Sequence, residues 1–244
     1  MSALWIITRR ELGAYFATPL AYVFLVIFLA GAGAVTFFLG DFFVRRQADL
    51  QPFFAYHPWL FLVLIPAVGM RLWAEERKSG TIELLMTLPV TTEQAVGGKF
   101  LAAWLFTAVA LGLTFPIWLT VNFLGDPDNG VIFASYIGSL LMAGALLALA
   151  SCISALTRNQ VIAFVIGVAA SFLFLMSGLE LVMGMFQGWA PSYLIDVVAS
   201  LSFLTHFLNI AQGVLDLPTV IFFLSMIGVC LFINAQIVEL KKAG

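Results

Sequence analysis

The chain has 244 residues, of which 62% are hydrophobic and 10% are charged, and its formal net charge is -2. A soluble domain carries roughly a quarter charged residues, so this composition excludes an ordinary soluble protein and indicates an integral membrane protein. The sequence has no basic tail or basic stripe, which argues against nucleic-acid binding. Cys152 and Cys230 lie in apolar stretches and indicate small buried side chains rather than a metal site.

The N-terminal segment 1–18 mixes apolar and aromatic residues with Arg9, Arg10 and Glu11, and Thr18-Pro19 ends it. This pattern is typical of an amphipathic helix that lies in the plane of the membrane interface. The alternative is a cytoplasmic extension of the first membrane span.

Six apolar segments are candidates for membrane spans, because a spanning helix needs about 20 mostly apolar residues. With the N-terminus in the cytoplasm, nine of the 11 Lys and Arg residues fall on the cytoplasmic side and only Arg45 and Arg46 fall outside. This asymmetry agrees with the positive-inside rule and predicts that both termini are cytoplasmic. The predicted spans are 20–40, 52–72, 99–124, 131–156, 161–183 and 217–238.

The predicted cytoplasmic loop 73–98 contains two helix breaks with a short apolar helix between them. Gly80 can end a helix that continues from the second span, and Thr81 can cap a new helix that Pro89 ends. Thr91 and Gln94 then have the spacing of a capping box for the helix that leads into the third span.

One face of this short helix carries Ile82, Leu85 and Met86, and Leu84 and Leu88 widen it. Burial of each such side chain contributes about 1.5 to 3 kcal/mol, which is enough to anchor a partner protein. Charged neighbours would then orient the contact. The alternative is that the helix folds back onto the membrane surface or the helix bundle. In the docking hypothesis, the charged residues that would orient the helix by ion pairs with the partner are Glu75, Glu76, Arg77 and Glu83.

The outer segment 184–216 has a polar arc and an apolar face at helical spacing. We predict an amphipathic helix that dips into the outer leaflet or covers the mouth of a cavity, and an ordinary surface helix is the alternative. Glu180, near the outer end of a span, is a candidate for a gating or substrate role, or a hydrated interfacial acid. The candidate outer gate residues are Glu180, His206, Asn209 and Asp216, and the rest of the arc is Ser202, Thr205 and Gln212.

No catalytic or metal site is predicted. His57 and His206 stand in no HExxH pairing, no serine stands in a GxSxG setting, and no P-loop is present. The chain therefore has no residues of its own for binding or hydrolysing ATP, and we predict no bound cofactor.

The block "PWLFLVLIPAVGMRLWAEERKSGTIELLMTLPVTTEQAVGGKFLA" resembles the permease subunits of ABC-2 type transporters, most closely the gliding-motility-associated GldF-like branch. The block "SLSFLTHFLNIAQGVLDLPTVIFF" resembles the same branch. One departure is that Gln212 and Pro218 stand where the branch usually has an arginine and a charged pair. On this resemblance, Glu75, Glu76 and Arg77 match the signature before a cytoplasmic coupling helix, Gly80, Thr81, Glu83, Leu84 and Leu85 match that helix, and Leu88 and Pro89 match its end.

The resemblance implies a dimeric permease of the bacterial inner membrane, with an elbow helix at its N-terminus. A separate ABC ATPase subunit would bind ATP and magnesium and seat the coupling helix. The second permease copy can be a paralogue, and a GldG-like auxiliary membrane protein with a large outer domain is a further expected partner.

The expected fold is an all-α integral membrane protein with six spans, of the ABC-2 or type V exporter kind. Two other functions stay open at this point. A non-transporting scaffold of a motility or envelope complex could use the same docking loop. A secondary transporter would need polar residues near the midplane, and the spans supply almost none.

Overall fold

The computed structural model describes residues 2–80, 90–179, 182–184 and 191–241, and the regular structure of these residues is helical, without a strand. A π-helical turn, Val35–Leu39, continues the helix Pro19–Ala34. The helices are α1 Ala3–Phe16, α2 Pro19–Ala34, α3 Gln51–Ala55, α4 His57–Gly69, α5 Arg71–Ser79, α6 Thr92–Gly112, α7 Phe115–Leu124, α8 Asn129–Leu156, α9 Gln160–Met176, α10 Ser192–Ser200, α11 Phe203–Ala211 and α12 Leu217–Leu240.

Five stretches of the described helices are long and apolar enough to cross a membrane. A sixth is present if the bent pair Tyr193–Ser200 and Phe203–Ala211 forms one broken span, and the same pair can also be a re-entrant loop. The protein is therefore an all-helical, multi-pass membrane protein. The five stretches are Pro19–Leu39, His57–Ser79, Thr92–Leu124, Asn129–Leu156 and Leu217–Leu240.

The helix in the region of the predicted fifth span is shorter than the prediction 161–183. α9 has 17 residues and ends at Met176. At 1.5 Å per residue it is about 25 Å long, which is less than the roughly 30 Å of the hydrocarbon core. The chain turns at Gly178, where an added Cβ would lie 2.6 Å from the side chains of Ser202 and Thr205. Close packing against the segment before α11 therefore accompanies the early end of α9.

In residues 191–216, the part of the outer segment that the structure describes beyond residue 184, the chain forms two helices, where the sequence predicted one amphipathic helix. α10 and α11 meet at an angle of 57°. The predicted apolar face of α11 packs inward, with Phe203, Phe207 and Ile210 buried. Ser202, which was expected on the polar arc, is also buried, because its hydroxyl caps α11 by accepting from the Thr205 N–H.

The centre of the bundle is α8, which packs against α4, α6, α9, α11 and α12. In an apolar 18-residue stretch of α8, 83% of the residues are buried, whereas 22% are buried in the corresponding stretch of the first span. Small residues allow this close packing: an added Cβ at Gly138 would lie 2.8 Å from Ile210, and one at Gly144 would lie 2.9 Å from the Trp104 ring nitrogen. The first span is thus mainly exposed in the single chain, and α8 is mainly packed against other helices.

The second span is interrupted between α4 and α5, and Ser154 of α8 stabilises the interruption. Pro66 lies inside α4. The Ser154 hydroxyl donates to the Met70 carbonyl at 2.7 Å and accepts from the Trp73 and Ala74 amides at 3.1 and 3.0 Å. Backbone groups that the break would leave unpaired are therefore satisfied from a neighbouring span.

Candidate functional site

The two helices that flank segment 81–89 both have ordered ends. α5 ends at Gly80, which has a left-handed φ of 73° that glycine adopts without strain. α6 begins with the predicted capping box: the Gln94 amide donates to the Thr91 hydroxyl, and the Thr91 amide donates to the Gln94 side chain, both at 3.2 Å. Eight predicted coupling residues lie outside the described part of the chain, namely Thr81, Ile82, Glu83, Leu84, Leu85, Met86, Leu88 and Pro89.

Close to these helix ends, a buried lysine joins three elements of the fold. The ammonium of Lys99 in α6 lies 2.7 Å from the Glu76 carboxylate of α5 and 3.3 Å from the Glu11 carboxylate of α1. It also lies 5.6 Å from the centre of the Trp73 ring, within the range of a cation–π contact. The Lys99 side chain is 3% exposed and each carboxylate side chain is 17% exposed. We call Lys99, Glu11 and Glu76 the lysine cluster.

Two glycines of α6 allow α1 to approach the lysine cluster. An added Cβ at Gly98 would lie 2.8 Å from Ile7 Cγ2, and one at Gly97 would lie 3.3 Å from a Leu4 methyl group. Farther along the same pair of helices, the rings of Tyr15 and Phe106 stack at 5.2 Å. α1 is thus a separate helix that packs along α6, and its predicted position in the membrane interface stays a prediction.

A cavity of about 250 Å³ opens beside the lysine cluster. Its walls combine acidic and basic groups with apolar parts of α1 and α5, so water can reach one side of the cluster. The charged lining residues are Glu11, Arg71, Glu75, Glu76 and Lys99.

The electrostatics of α1 depend on Lys99. Burial by itself would raise the pKa of Glu11, but Lys99 and then Arg10 hold that pKa below its ordinary value of 4.5. Burial next to Glu11 raises the pKa of the Tyr15 phenol. Glu11 is therefore ionised at neutral pH and attracts Lys99.

The lowered pKa of Glu11 predicts how α1 responds to acid. A carboxyl group with a lowered folded-state pKa stabilises the fold above its unfolded-state pKa, and this contribution is lost as the pH falls through the folded-state value. We therefore expect the α1 amides to keep their protection from hydrogen exchange from pH 7 to about 4.5 and to lose it below, after correction for intrinsic rates.

A Glu11→Gln variant is the control for the acid response, because it lacks this carboxylate at every pH. Its α1 amides should exchange faster at pH 7 and change little with acid. Protection of wild-type α1 that begins to fall near pH 6, or that persists unchanged at pH 3, would contradict the assignment.

The three described coupling residues next to Gly80 have partners within the chain. Glu75 accepts from Arg71 at 3.0 Å and its side chain is half exposed, whereas Glu76 belongs to the lysine cluster. Arg77 donates to the Ala155 carbonyl at 2.5 Å. Their predicted ion pairs with a partner protein stay predictions.

The carboxyl end of α8 receives two basic side chains from other elements. In addition to the Arg77 contact with Ala155, Lys241, which follows α12, donates to the Leu156 carbonyl at 2.7 Å. Cations at this end of a helix satisfy its unpaired carbonyls and interact favourably with its dipole. These contacts connect α5, α8 and the end of α12 on the side of segment 81–89.

A family model described as "ABC-2 family transporter protein" matches residues 20–233, which is most of the chain. The chain belongs to the ABC-2 transporter family. As a member it is the permease, the membrane component of an ABC transporter. A comparison with curated proteins finds no match.

On the opposite side of the permease, the three described gate candidates, His206, Asn209 and Asp216, do not form one bonded cluster. The His206 ring lies between the Ser200 carbonyl at 3.0 Å and the Thr219 hydroxyl at 3.4 Å, and it stacks on Phe222 at 4.0 Å. Within the described residues, no hydrogen bond or ion pair joins it to Asn209 or Asp216. Glu180 lies outside the described part of the chain. His206 therefore links α11 to α10 and α12, and a gating role stays a prediction.

From the sequence alone, Lys99 is one of the nine basic residues on the cytoplasmic side, and Glu11 has no predicted partner. One signal was available: a lysine directly after Gly97-Gly98 in an apolar helix indicates a charge at a close helix contact, and a buried charge needs partners. His57 was also missed as a core residue. It is fully buried, and since Ser139 donates to the Ser135 carbonyl, His57 donates from Nδ1 to Ser139 at 2.8 Å.

Proposed function

We propose that this permease docks a separate ATPase subunit through segment 81–89 and couples ATP hydrolysis there to rearrangement of its spans. The ATPase holds ATP and magnesium, and this chain holds neither. The observation that carries the proposal is that both flanks of the segment are fixed: Gly80 and the Thr91 capping box set its ends, and the lysine cluster joins α5 to α6.

The composition of segment 81–89 supports docking rather than a simple connection. It carries five large apolar side chains between two helices whose ends are charged or polar. Burial of three or four of them against a partner would contribute several kcal/mol, since each is worth about 1.5 to 3 kcal/mol. The family implies such a partner, because ABC permeases work with an ABC ATPase.

The lysine cluster supports a route for the coupling. A movement imposed on segment 81–89 acts on the ends of α5 and α6 directly, and Lys99 connects both helices to α1. Arg77 extends the connection to the end of α8. Closure of an ATPase dimer would in this way move several spans together as rigid bodies.

The wider assignment follows the sequence resemblance and the charge asymmetry. We propose a multi-pass protein of the bacterial inner membrane with both termini in the cytoplasm, working as a dimer or with a paralogous permease. The GldF-like blocks support a complex that also holds a GldG-like auxiliary protein. The work performed is export of a cargo or mechanical work on an envelope component.

The docking proposal is tested by Leu84→Asp combined with Leu85→Asp. The two substitutions remove the burial energy of the leucine side chains. Burying the new carboxylates against a partner would in addition carry a large desolvation penalty. We expect at least a tenfold loss of the ABC ATPase that co-purifies with the permease from native membranes, while the permease still inserts.

Thr87→Asp is the control, because Thr87 lies on the side of the predicted helix that carries Glu83. It should retain most of the ATPase. Full ATPase binding by the Leu84→Asp and Leu85→Asp variant would reject docking at this segment, and loss in all variants alike would point to a general disturbance of the loop.

A further inference from the structure

A cavity on the side of the membrane opposite segment 81–89 lies where two loops meet. One loop follows the first span and the other follows α7, and an added Cβ at Gly125 would lie 2.5 Å from the Ala48 methyl group. The contact holds the loops together at the edge of a cavity of about 430 Å³. Its remaining lining residues are Phe42, Phe43, Arg46, Gln47 and Leu124.

Arg46 is the cation of this cavity, and it has no ion pair or hydrogen bond with any described side chain. Its neighbour Arg45 differs, because it donates to Gln47 and Gln51 at 3.3 and 3.2 Å and lies 4.0 Å from Asp49. The backbone of Arg46 has a φ of 52°, a left-handed conformation that non-glycine residues rarely adopt. Asp41, earlier in the same loop, has a similar φ of 49°, so the loop is tightly turned at both positions.

Next to Arg46, Gln47 provides a second donor. Its side-chain oxygen accepts from Arg45, which leaves the amide N–H groups of Gln47 without a partner among the described residues. A guanidinium and an amide lining one cavity are suited to an anion with several oxygen atoms.

The residues around the cavity are apolar and exposed, which favours an anion that belongs to a lipid headgroup. Phe43 and Leu124 line the cavity and are 61% and 53% exposed, and Phe38 and Phe123 at the ends of the adjoining helices are 82% and 91% exposed. Exposed apolar side chains at the ends of two spans lie beside the hydrocarbon of the bilayer, close to the headgroup region. An anion bound here therefore has hydrocarbon beside it.

We propose that this cavity binds a glycerophospholipid of the outer leaflet through its phosphate diester. The phosphate accepts from the Arg46 guanidinium and the Gln47 amide, and the acyl chains run along Phe43 and Leu124. The site is separate from segment 81–89 and does not depend on the docking of an ATPase. It fastens the loop after the first span to the membrane surface.

The experiment uses the full-length permease, delipidated in a mild detergent and titrated with phosphatidylglycerol under native mass spectrometry. Arg46→Gln should bind the tightest lipid about tenfold more weakly, since a charge-assisted contact is lost. Arg46→Lys should lose only about threefold, because the charge remains but the bidentate geometry does not. Arg45→Gln should bind like the wild type, because Arg45 already has partners in the protein.

Two further ligands distinguish the source of the phosphate. Diacylglycerol with the same acyl chains should bind at least tenfold more weakly than the phospholipid, and inorganic phosphate at millimolar concentration should not displace the lipid. Equal binding by diacylglycerol, or displacement by phosphate, would overturn the proposal. An unchanged affinity of Arg46→Gln, or an equal loss in Arg45→Gln, would overturn it as well, and Arg46→Lys still tests it if Arg46→Gln does not fold.

Discussion

Replacing Lys99 by methionine is expected to lower the thermal unfolding midpoint of the permease by about 10 °C. The substitution keeps the length of the side chain but leaves the carboxylates of Glu11 and Glu76 largely buried without their cation. Removal of one partner from a buried ion pair costs about 3–5 kcal/mol, and each kcal/mol corresponds to roughly 2–4 °C in a protein of this size. Size-exclusion chromatography after heating in detergent measures the midpoint.

Two variants show whether this loss comes from the ion pairs. Lys78→Met removes an exposed lysine from the end of α5, near Glu76, and should leave the midpoint within about 2 °C of the wild type. Lys99→Met combined with Glu76→Gln removes one of the orphaned charges and should recover part of the loss. Equal midpoints for Lys99→Met and Lys78→Met would mean that the lysine cluster does not stabilise the fold.

Replacing Gly98 by valine is expected to detach α1 from α6. The added Cβ would lie 2.8 and 2.9 Å from two carbon atoms of Ile7 and 3.1 Å from the backbone oxygen of Leu4, so α1 itself has to move. The cleavage sites Arg9 and Arg10 lie in this helix, and limited trypsin digestion should cut there at least tenfold faster than in the wild type.

Gly112→Val is the matched control for the α1 contact. Gly112 lies in the same helix, and an added Cβ there meets no atom within 4 Å. Its digestion should equal that of the wild type, and Ile7→Ala should restore part of the resistance to Gly98→Val by making room for the new side chain. If trypsin cuts Gly98→Val and Gly112→Val at the same rate, the packing of α1 on α6 does not depend on the close contact at Gly98.

The features that could be predicted from the sequence are those set by neighbouring residues. The capping box of Thr91 and Gln94 depends on a spacing of three residues, and the helix end at Gly80 depends on one residue type. The apolar face of α11 follows from helical periodicity alone. The multi-pass class follows from composition.

The lysine cluster could not be predicted in the same way, because its members come from three helices that are far apart in the chain. Hydropathy assigned Lys99 to a side of the membrane, but the contacts of Glu11 and Glu76 depend on how α1 and α5 pack on α6. The end of α9 is a similar case. The predicted length of this span comes from the average hydropathy of a stretch of residues, whereas the turn lies at the close approach of Gly178 to Ser202 and Thr205.

The position of α8 in the chain has a consequence for biosynthesis. α8 is the most buried of the five candidate spans and is synthesised fourth among them. The first three spans therefore leave the ribosome before the surface on which they pack exists. Until then His57 has no Ser139, and the break between α4 and α5 has no Ser154. The arrival of α8 therefore completes the polar contacts of the second span and supplies the surface on which the neighbouring helices pack.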